Sequence, residues 1–359
     1  MKIGIDAQTT IGEKTGLGFY VENLLNQLKK IDRHNQYIPL APSNKSDLSA
    51  PKRFAWDQFG VLNLAKKNKV DIFHQPCFSV PVLKGKIKTV VTIHDLIATK
   101  YGKDLPFFAR TYFGKWMTYT YKYANKIICD SQNTKKDVMD MLNIPEKKIS
   151  VIHLAANELY SKSADKNKIL GIKNKYKTGE KYLLHVGTLN PRKNIQFIIN
   201  IFQKITGDLP GYKLVITGKK SWYYQTLVAE AKRLNIMDKV IFTGYVPDED
   251  TPYLINGAEI FLFPSLYEGF GLPPLEAMTA GIPVISSNSS SLPEVVGEGG
   301  ILLSPTDELG WIRNIKAIIN NPNLKRSLIA KGLKQAKKFS WQKCALETLE
   351  VYEELLREK

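Results

Sequence analysis

The stretch Glu268-Gly269-Phe270-Gly271-Leu272-Pro273-Pro274-Leu275-Glu276 decides how this chain reads. The apolar run 259–266 before it has the length and composition of a buried strand. Pro273 and Pro274 have the fixed φ that suits a first helical turn, and Gly281 stands where a helix closes in a left-handed cap. The stretch is therefore a strand, a glycine turn and a helix start. The first turn of a helix presents unpaired N–H groups, and the amides of Phe270, Gly271 and Leu272 fall at this one. Gly269 and Gly271 let an anionic ligand approach the backbone, so the chemistry invited is a phosphate or diphosphate.

Two carboxylates flank the turn with seven residues between them. Glu268 lies on the loop and Glu276 about one helical turn further on, so they address different parts of one ligand. Read alone, Glu276 also fits a first-turn glutamate placed for the helix dipole. With Phe263-Pro264-Ser265-Leu266-Tyr267 before it and Ala277-Met278 after it, the stretch resembles the Glu-x7-Glu signature of retaining glycosyltransferases with the two-domain GT-B fold. The text is similar to glycosyltransferase family 4. That resemblance implies an α/β chain of two Rossmann-like doubly wound domains facing an interdomain cleft.

Composition agrees with two folded domains. A chain of 359 residues is long enough for two cores, and its 43% hydrophobic and 10% aromatic content is ordinary for a globular protein. Residues 1–6 read as a first strand and not as a signal peptide, and no apolar run has the length of a membrane span. Cys77, Cys129 and Cys344 are odd in number and widely spaced, which suits a reducing cytoplasm and neither a disulfide framework nor a metal cluster. The 51 basic and 34 acidic residues leave a charge of +17. Such a field favours nucleic acid, anionic lipid or phosphorylated ligands. No nucleic-acid-binding module is recognisable, so peripheral contact with an anionic membrane on its cytoplasmic face is the more specific expectation.

In the first half, residues 2–7 predict a strand and 19–31 a helix, with Gly16 and Gly18 at their junction. The dinucleotide fingerprint fails at Val21, which leaves an oxidoreductase poorly supported. The resemblance places Gly16 and Gly18 against the donor diphosphate or the acceptor; a plain tight turn is the alternative. Helices are expected over 56–67 and 106–124, the latter crowded with aromatic and basic side chains. Lys100, Tyr101 and Lys103 precede it. Most of those aromatics read as core, and the remainder suits an interface. Strands over 70–74 and 88–93 end in His74 and His94, where side chains of a parallel sheet face a ligand. Thr92-Ile93-His94-Asp95-Leu96 resembles the segment in which a histidine contacts the donor sugar, so His94 is the functional candidate and His74 the structural one.

A lysine-rich polar segment, 160–180, reads as the linker, giving an acceptor-binding domain over 1–165 and a donor-binding domain over 175–340. The terminal helix, 342–359, is expected to return to the first domain. After a predicted strand at 182–186 comes Gly187-Thr188-Leu189-Asn190-Pro191-Arg192-Lys193-Asn194, a glycine turn with two adjacent cations suited to a diphosphate. In the family an arginine often follows the glycine directly. Here Thr188 holds that position, and Arg192 is the only arginine nearby. Gly244-Tyr245-Val246 resembles the segment that recognises the nucleotide base. Asp248-Glu249-Asp250 matches a metal motif of another transferase fold, but it precedes a short helix and reads as capping.

The resemblance implies transfer of a hexose from a nucleoside diphosphate sugar, with no metal or other cofactor required. Arg192, Lys193 and the first-turn amides would stabilise the leaving diphosphate, and Glu276 would bind ribose. Glu268 would orient the sugar and shield its cationic centre, with His94 contacting it. The text is most similar to mannosyltransferases of bacterial surface polysaccharide assembly, which use GDP-mannose and a glycan or polyprenyl-diphosphate-linked acceptor. UDP-glucose, UDP-galactose and UDP-N-acetylglucosamine stay open as donors. A GT-B epimerase or phosphorylase and a nucleic-acid-binding protein are the remaining alternatives.

Overall fold

The computed structural model describes residues 1–12, 16–42, 48–102, 106–161 and 165–357. The chain forms two compact units, Met1–Leu154 with Ser340–Lys359, and Ala155–Phe339. The first is a six-stranded sheet of β1 (Lys2–Asp6), β2 (Gln36–Leu40), β3 (Ile72–Gln75), β4 (Lys88–Ile93), β5 (Lys126–Cys129) and β6 (Ile149–Val151), in the order β2-β1-β3-β4-β5-β6. Every pairing is parallel. Both faces of such a sheet are covered by helices, which is why β3 and β5 are buried at every position.

The second unit carries β7 (Lys181–Val186), β8 (Tyr212–Thr217), β9 (Val240–Gly244), β10 (Ile260–Phe263), β11 (Val284–Ser287) and β12 (Ile301–Leu303). Their order is β12-β11-β10-β7-β8-β9, again all parallel. This is the doubly wound order of a Rossmann domain, and it reverses direction between β7 and β10. Ligands of such sheets bind outside the carboxyl ends of the strands at that reversal. The two loops singled out by sequence, after β7 and after β10, leave from it.

Several local expectations change. The chain passes between units after Leu154, and residues expected as linker form a helix, Lys166–Tyr176, of the second unit. Only Ile172 of that helix is buried, so its polar composition resembles a linker. Asp250 anchors it, accepting from Lys175 Nζ and the Tyr176 hydroxyl, both at 2.6 Å. Asp250 therefore does not cap the helix Thr251–Asn256 with its side chain, as the sequence suggested. Strand β2 escaped notice because it contains Pro39, tolerated on an edge strand.

The helices expected over 56–67 and 106–124 each contain a π turn, Trp56–Gly60 and Tyr112–Trp116. The two wide turns meet where the Tyr112 hydroxyl donates to Asp57. The terminal helix, Trp341–Arg357, packs on the helix Gly16–Ile31 of the first unit, and its Tyr352 hydroxyl lies 2.6 Å from His74 Nδ1. Lys103 and Glu358 lie outside the described residues. Among the described residues, no helix is long and apolar enough to cross a membrane.

Candidate active site

The loop after β7 is shaped by its glycine contacts. Gly187 N donates to Thr217 O at 2.9 Å, and a Cβ on Gly218, whose φ is +150°, would stand 2.0 Å from the Gly187 carbonyl oxygen. Only glycine fits Gly218. Its N–H in turn donates to Gly244 O at 2.9 Å, which ties the Gly187 turn to the end of β9. Gly244 has φ +75°, Tyr245 is exposed and Val246 buried. Thr188 is exposed. Asn190 caps the short turn Pro191–Lys193 by accepting from Lys193 N, and left-handed Asn194 starts the helix Ile195–Ile205.

The loop after β10 is fixed from two sides. Leu266 N donates to Arg192 O at 2.8 Å, and the Ser291 hydroxyl lies within bonding distance of Glu268 O and Phe270 O. Ser290 Oγ accepts from Glu268 N at 2.8 Å. Gly271, at φ +118°, precedes the helix Leu272–Thr279; a Cβ there would lie 2.8 Å from Leu292 Cδ2. Pro273 and Pro274 fall in its first turn and Gly281, at φ +74°, follows its end, as the sequence predicted.

Between these loops lies a buried ionic centre. Glu268 Oε1 is 2.6 Å from Lys193 Nζ and 3.0 Å from Arg192 Nη1, and it accepts from the Ser265 hydroxyl. Arg192 also donates to Tyr267 O. Burial alone would raise the Glu268 carboxyl; the charges of Lys193 and then Arg192 overcome it and hold the group below its ordinary value. Lys193 Nζ lies 4.9 Å from the centre of the Phe263 ring, on which His185 stacks at 5.7 Å. Burial pushes His185 down to about 4, so the ring is neutral. Its Nδ1–H donates to Leu262 O at 3.0 Å, leaving buried Nε2 as an acceptor without a partner.

Glu276 is half-buried one turn into the helix. Desolvation, with the nearby charge of Asp248, pushes its carboxyl up to about 8, against a hydrogen bond from the Tyr160 hydroxyl. The structure thus brings Arg192, Lys193 and Glu268 into contact and ties the turn of Gly187 to that of Gly244. Glu276 joins Tyr160 and Asp248 instead.

The first unit presents its own candidates. His94 follows β4 with Nδ1 at 2.6 Å from Asp130 Oδ2 and Nε2 at 2.9 Å from Pro76 O, edge-on to Tyr20. Burial opposes a charge on this ring, but the Asp130 carboxylate wins and raises it well above the ordinary histidine value. Both N–H groups are therefore engaged within the unit. Gly16 opens the helix Gly16–Ile31 with open space where a Cβ would stand, and Gly18 is buried two residues on. The unit's strand order reverses between β1 and β3, where Asp6 and Gln75 end the strands. Buried Arg53 donates to Gln8 there and lies 4.0 Å from Asp6 and 3.7 Å from Asp57.

Residues 167–335 match the model of the family described as "Glycosyl transferases group 1", and residues 16–157 that of "Glycosyltransferase Family 4". The O-antigen chain mannosyltransferase B of Escherichia coli is 32% identical over 304 residues, 84% of this chain and 77% of that protein. The chain belongs to glycosyltransferase family 4. The serotype-specific mannosyltransferase WbdA of Escherichia coli is 31% identical over 78% of this glycosyltransferase, which spans only 35% of WbdA. A glycosyltransferase from Rickettsia africae, 16% identical, superposes with a TM-score of 0.77 over 100% of this chain and 99% of its own, which shows the shared GT-B fold.

Sequence reasoning missed four polar groups of this glycosyltransferase. Ser265 stands in the quoted Phe-Pro-Ser text, yet nothing marked its hydroxyl as a partner of Glu268. Asp130 follows β5 directly, so the rule that singled out His94 would have found it too. His185 and Tyr160 carry no local signal, since their partners Leu262 and Glu276 are far away in sequence.

Proposed function

We propose that this glycosyltransferase moves mannose from GDP-mannose, with retention of configuration, to a hydroxyl of a surface glycan or its polyprenyl-diphosphate-linked precursor. The observation that carries the mechanism is the contact of Arg192 and Lys193 with one buried carboxylate, Glu268. Two cations beside a glycine turn and a helix N-terminus meet the charge that builds on a departing diphosphate, where water is scarce and such groups act most strongly. The first-turn amides of Phe270, Gly271 and Leu272 add to them, so the step is assigned no metal. Glu268 orients the sugar and shields its cationic centre, Glu276 accepts from the ribose hydroxyls, and Gly244-Tyr245-Val246 meets the base. His94 is assigned to the sugar by the family resemblance alone, and to donate there its Nε2–H would have to leave Pro76 O. The choice of mannose rests on the relatives, both named as mannosyltransferases.

A thermal-shift panel of GDP, UDP, ADP and their sugar conjugates, with and without EDTA, tests the reading, because a ligand that binds only the folded state raises its midpoint. A shift with GDP and GDP-mannose that survives EDTA is expected. A shift with UDP compounds alone would replace the donor by a UDP-sugar, and a shift abolished by EDTA would refute the metal-free step.

A further inference from the structure

We propose that His185 is a positioning residue for Lys193: when a diphosphate draws Lys193 away from Glu268, His185 Nε2 accepts one N–H of the ammonium and aims the others at the leaving group. The proposal deepens the transferase reading and rests on it. His185 sits on β7, fully buried, two residues before Gly187. Its ring stacks on that of Phe263 at 5.7 Å and 18°. A phenylalanine would supply that stacking as well, so what the imidazole adds is its two nitrogens. Nδ1–H donates to Leu262 O at 3.0 Å. The ring is neutral, so Nε2 carries a lone pair, and it is buried with no hydrogen-bond partner among the described residues. A buried acceptor left unpaired is destabilising, and such a group points to a state of the site in which it is paired.

The surroundings of Nε2 identify that partner. A Cβ built on Gly187 would stand 3.4 Å from His185 Nε2 and 3.4 Å from Lys193 Cε. Gly187 does not have a positive φ, so it is the missing side chain that matters there. Its absence leaves the ring nitrogen and the lysine stem facing each other across the place of a single carbon. Lys193 Nζ now lies 2.6 Å from Glu268 Oε1 and 4.9 Å from the centre of the Phe263 ring on which His185 stacks. Rotation about the last bonds of the lysine carries Nζ from the carboxylate toward Nε2. A nitrogen buried this deeply is beyond a substrate's reach, whereas Lys193 already lines it. The exchange also changes the charge that the diphosphate meets. A carboxylate both orients and neutralises an ammonium; a neutral imidazole orients it and leaves its charge for the leaving group.

Two amides separate this role from a structural one. Asparagine at 185 places its NH2 near the Nδ1 position and keeps a donor for Leu262 O, whereas glutamine reaches the Nε2 position and keeps an acceptor there. A merely structural histidine would favour asparagine, and the proposed role favours glutamine. GDP is titrated calorimetrically into the full chain as wild type, His185→Asn, His185→Gln, Lys193→Met and Lys193→Met with His185→Asn, each below its unfolding midpoint. UDP replaces GDP if only UDP binds the wild type. His185→Asn should weaken binding about tenfold or more, the loss of a hydrogen bond to a charged group, and His185→Gln should stay close to wild type. In the Lys193→Met background His185→Asn should have no further effect, because the two side chains act as a unit. Wild-type affinity in His185→Asn, glutamine no better than asparagine, or an equal loss with and without Lys193 would each overturn the proposal. Those results leave nucleotide binding by the wild type, and with it the transferase reading, in place; a wild type that binds neither nucleotide would overturn both.

Discussion

Glu268→Gln keeps the shape of the side chain and removes one charge from a buried triad. Arg192 Nη1 and Lys193 Nζ, 3.0 and 2.6 Å from the carboxylate, would then face each other across a neutral amide, with the Tyr267 carbonyl and an aromatic ring among the groups beside them. Removing one partner of a buried ion pair costs about 3–5 kcal/mol. At about 2–4 °C per kcal/mol for a unit of this length, the ligand-free midpoint of the second unit should fall on the order of 10 °C. A diphosphate returns the missing negative charge. GDP should therefore bind the variant at least as tightly as the wild type and raise its midpoint by more. Turnover should drop by about 100-fold or more, the loss seen when a group aimed at transition-state charge is removed. Scanning fluorimetry with and without GDP reads the first two effects, and product formation from the donor reads the third. A ligand-free midpoint within a degree of wild type would refute the buried pairing. A smaller GDP shift in the variant would refute the assignment of Arg192 and Lys193 to the diphosphate.

Three further outcomes follow from the same geometry. Glu276 is protonated below about pH 8 through burial and the charge of Asp248, and a ribose diol donating to it requires the ionised form. GDP binding should thus release a proton and tighten from pH 6 to 8. Calorimetry in buffers of different ionisation enthalpy measures this; Glu276→Gln should abolish it, and binding without proton release removes Glu276 from the ribose. Gly218→Ala forces a Cβ to 2.0 Å from the Gly187 carbonyl and strains a φ of +150°, so both the midpoint and GDP affinity should fall; a wild-type midpoint would show that the two turns separate freely. His185 and His74 fold as neutral rings, pushed by burial to about 4 and about 3 from an ordinary 6.5. Between those values the unfolded chain binds more protons than the folded one, so stability rises with pH and is lost as pH falls from 6.5. His185→Phe should flatten that acid limb for the second unit, and an unchanged slope between pH 4 and 7 would assign it to other groups.

The second unit was legible because its constraints are local. Gly269, Gly271, Pro273, Pro274 and Gly281 each answer a backbone requirement within a few residues, and Arg192 and Lys193 adjoin the glycine turn. The meeting of these cations with Glu268 spans 75 residues, and only the family resemblance connected them. In the first unit the polar network is assembled from distant segments: Asp6, Arg53, Asp57, Ser79 and Tyr112 share no motif, and their burial is what makes them partners. The π turns at Trp56–Gly60 and Tyr112–Trp116 were invisible for a different reason. One extra residue per turn leaves the spacing of apolar positions within the tolerance of an ordinary helix. Lys166–Tyr176 failed in the opposite direction, a real helix whose single buried residue gives no periodicity to detect.

Charge balance at the ionic centre also bears on how a donor would enter. Arg192 and Lys193 share one carboxylate, so the triad keeps one positive charge in excess, and that carboxylate is held ionised although buried. A diphosphate arriving at the Gly187 turn competes with Glu268 for the same two cations. Each cation it takes loosens the pairing that fixes Glu268, while Ser265 and the backbone bonds from Ser290 and Ser291 keep the loop in place. On the proposed mechanism, donor binding and the freeing of Glu268 toward the sugar would then be one event. On the proposed mechanism this coupling would let one residue serve turnover and restrain the ligand-free fold, and its loss should shift stability and nucleotide affinity in opposite directions.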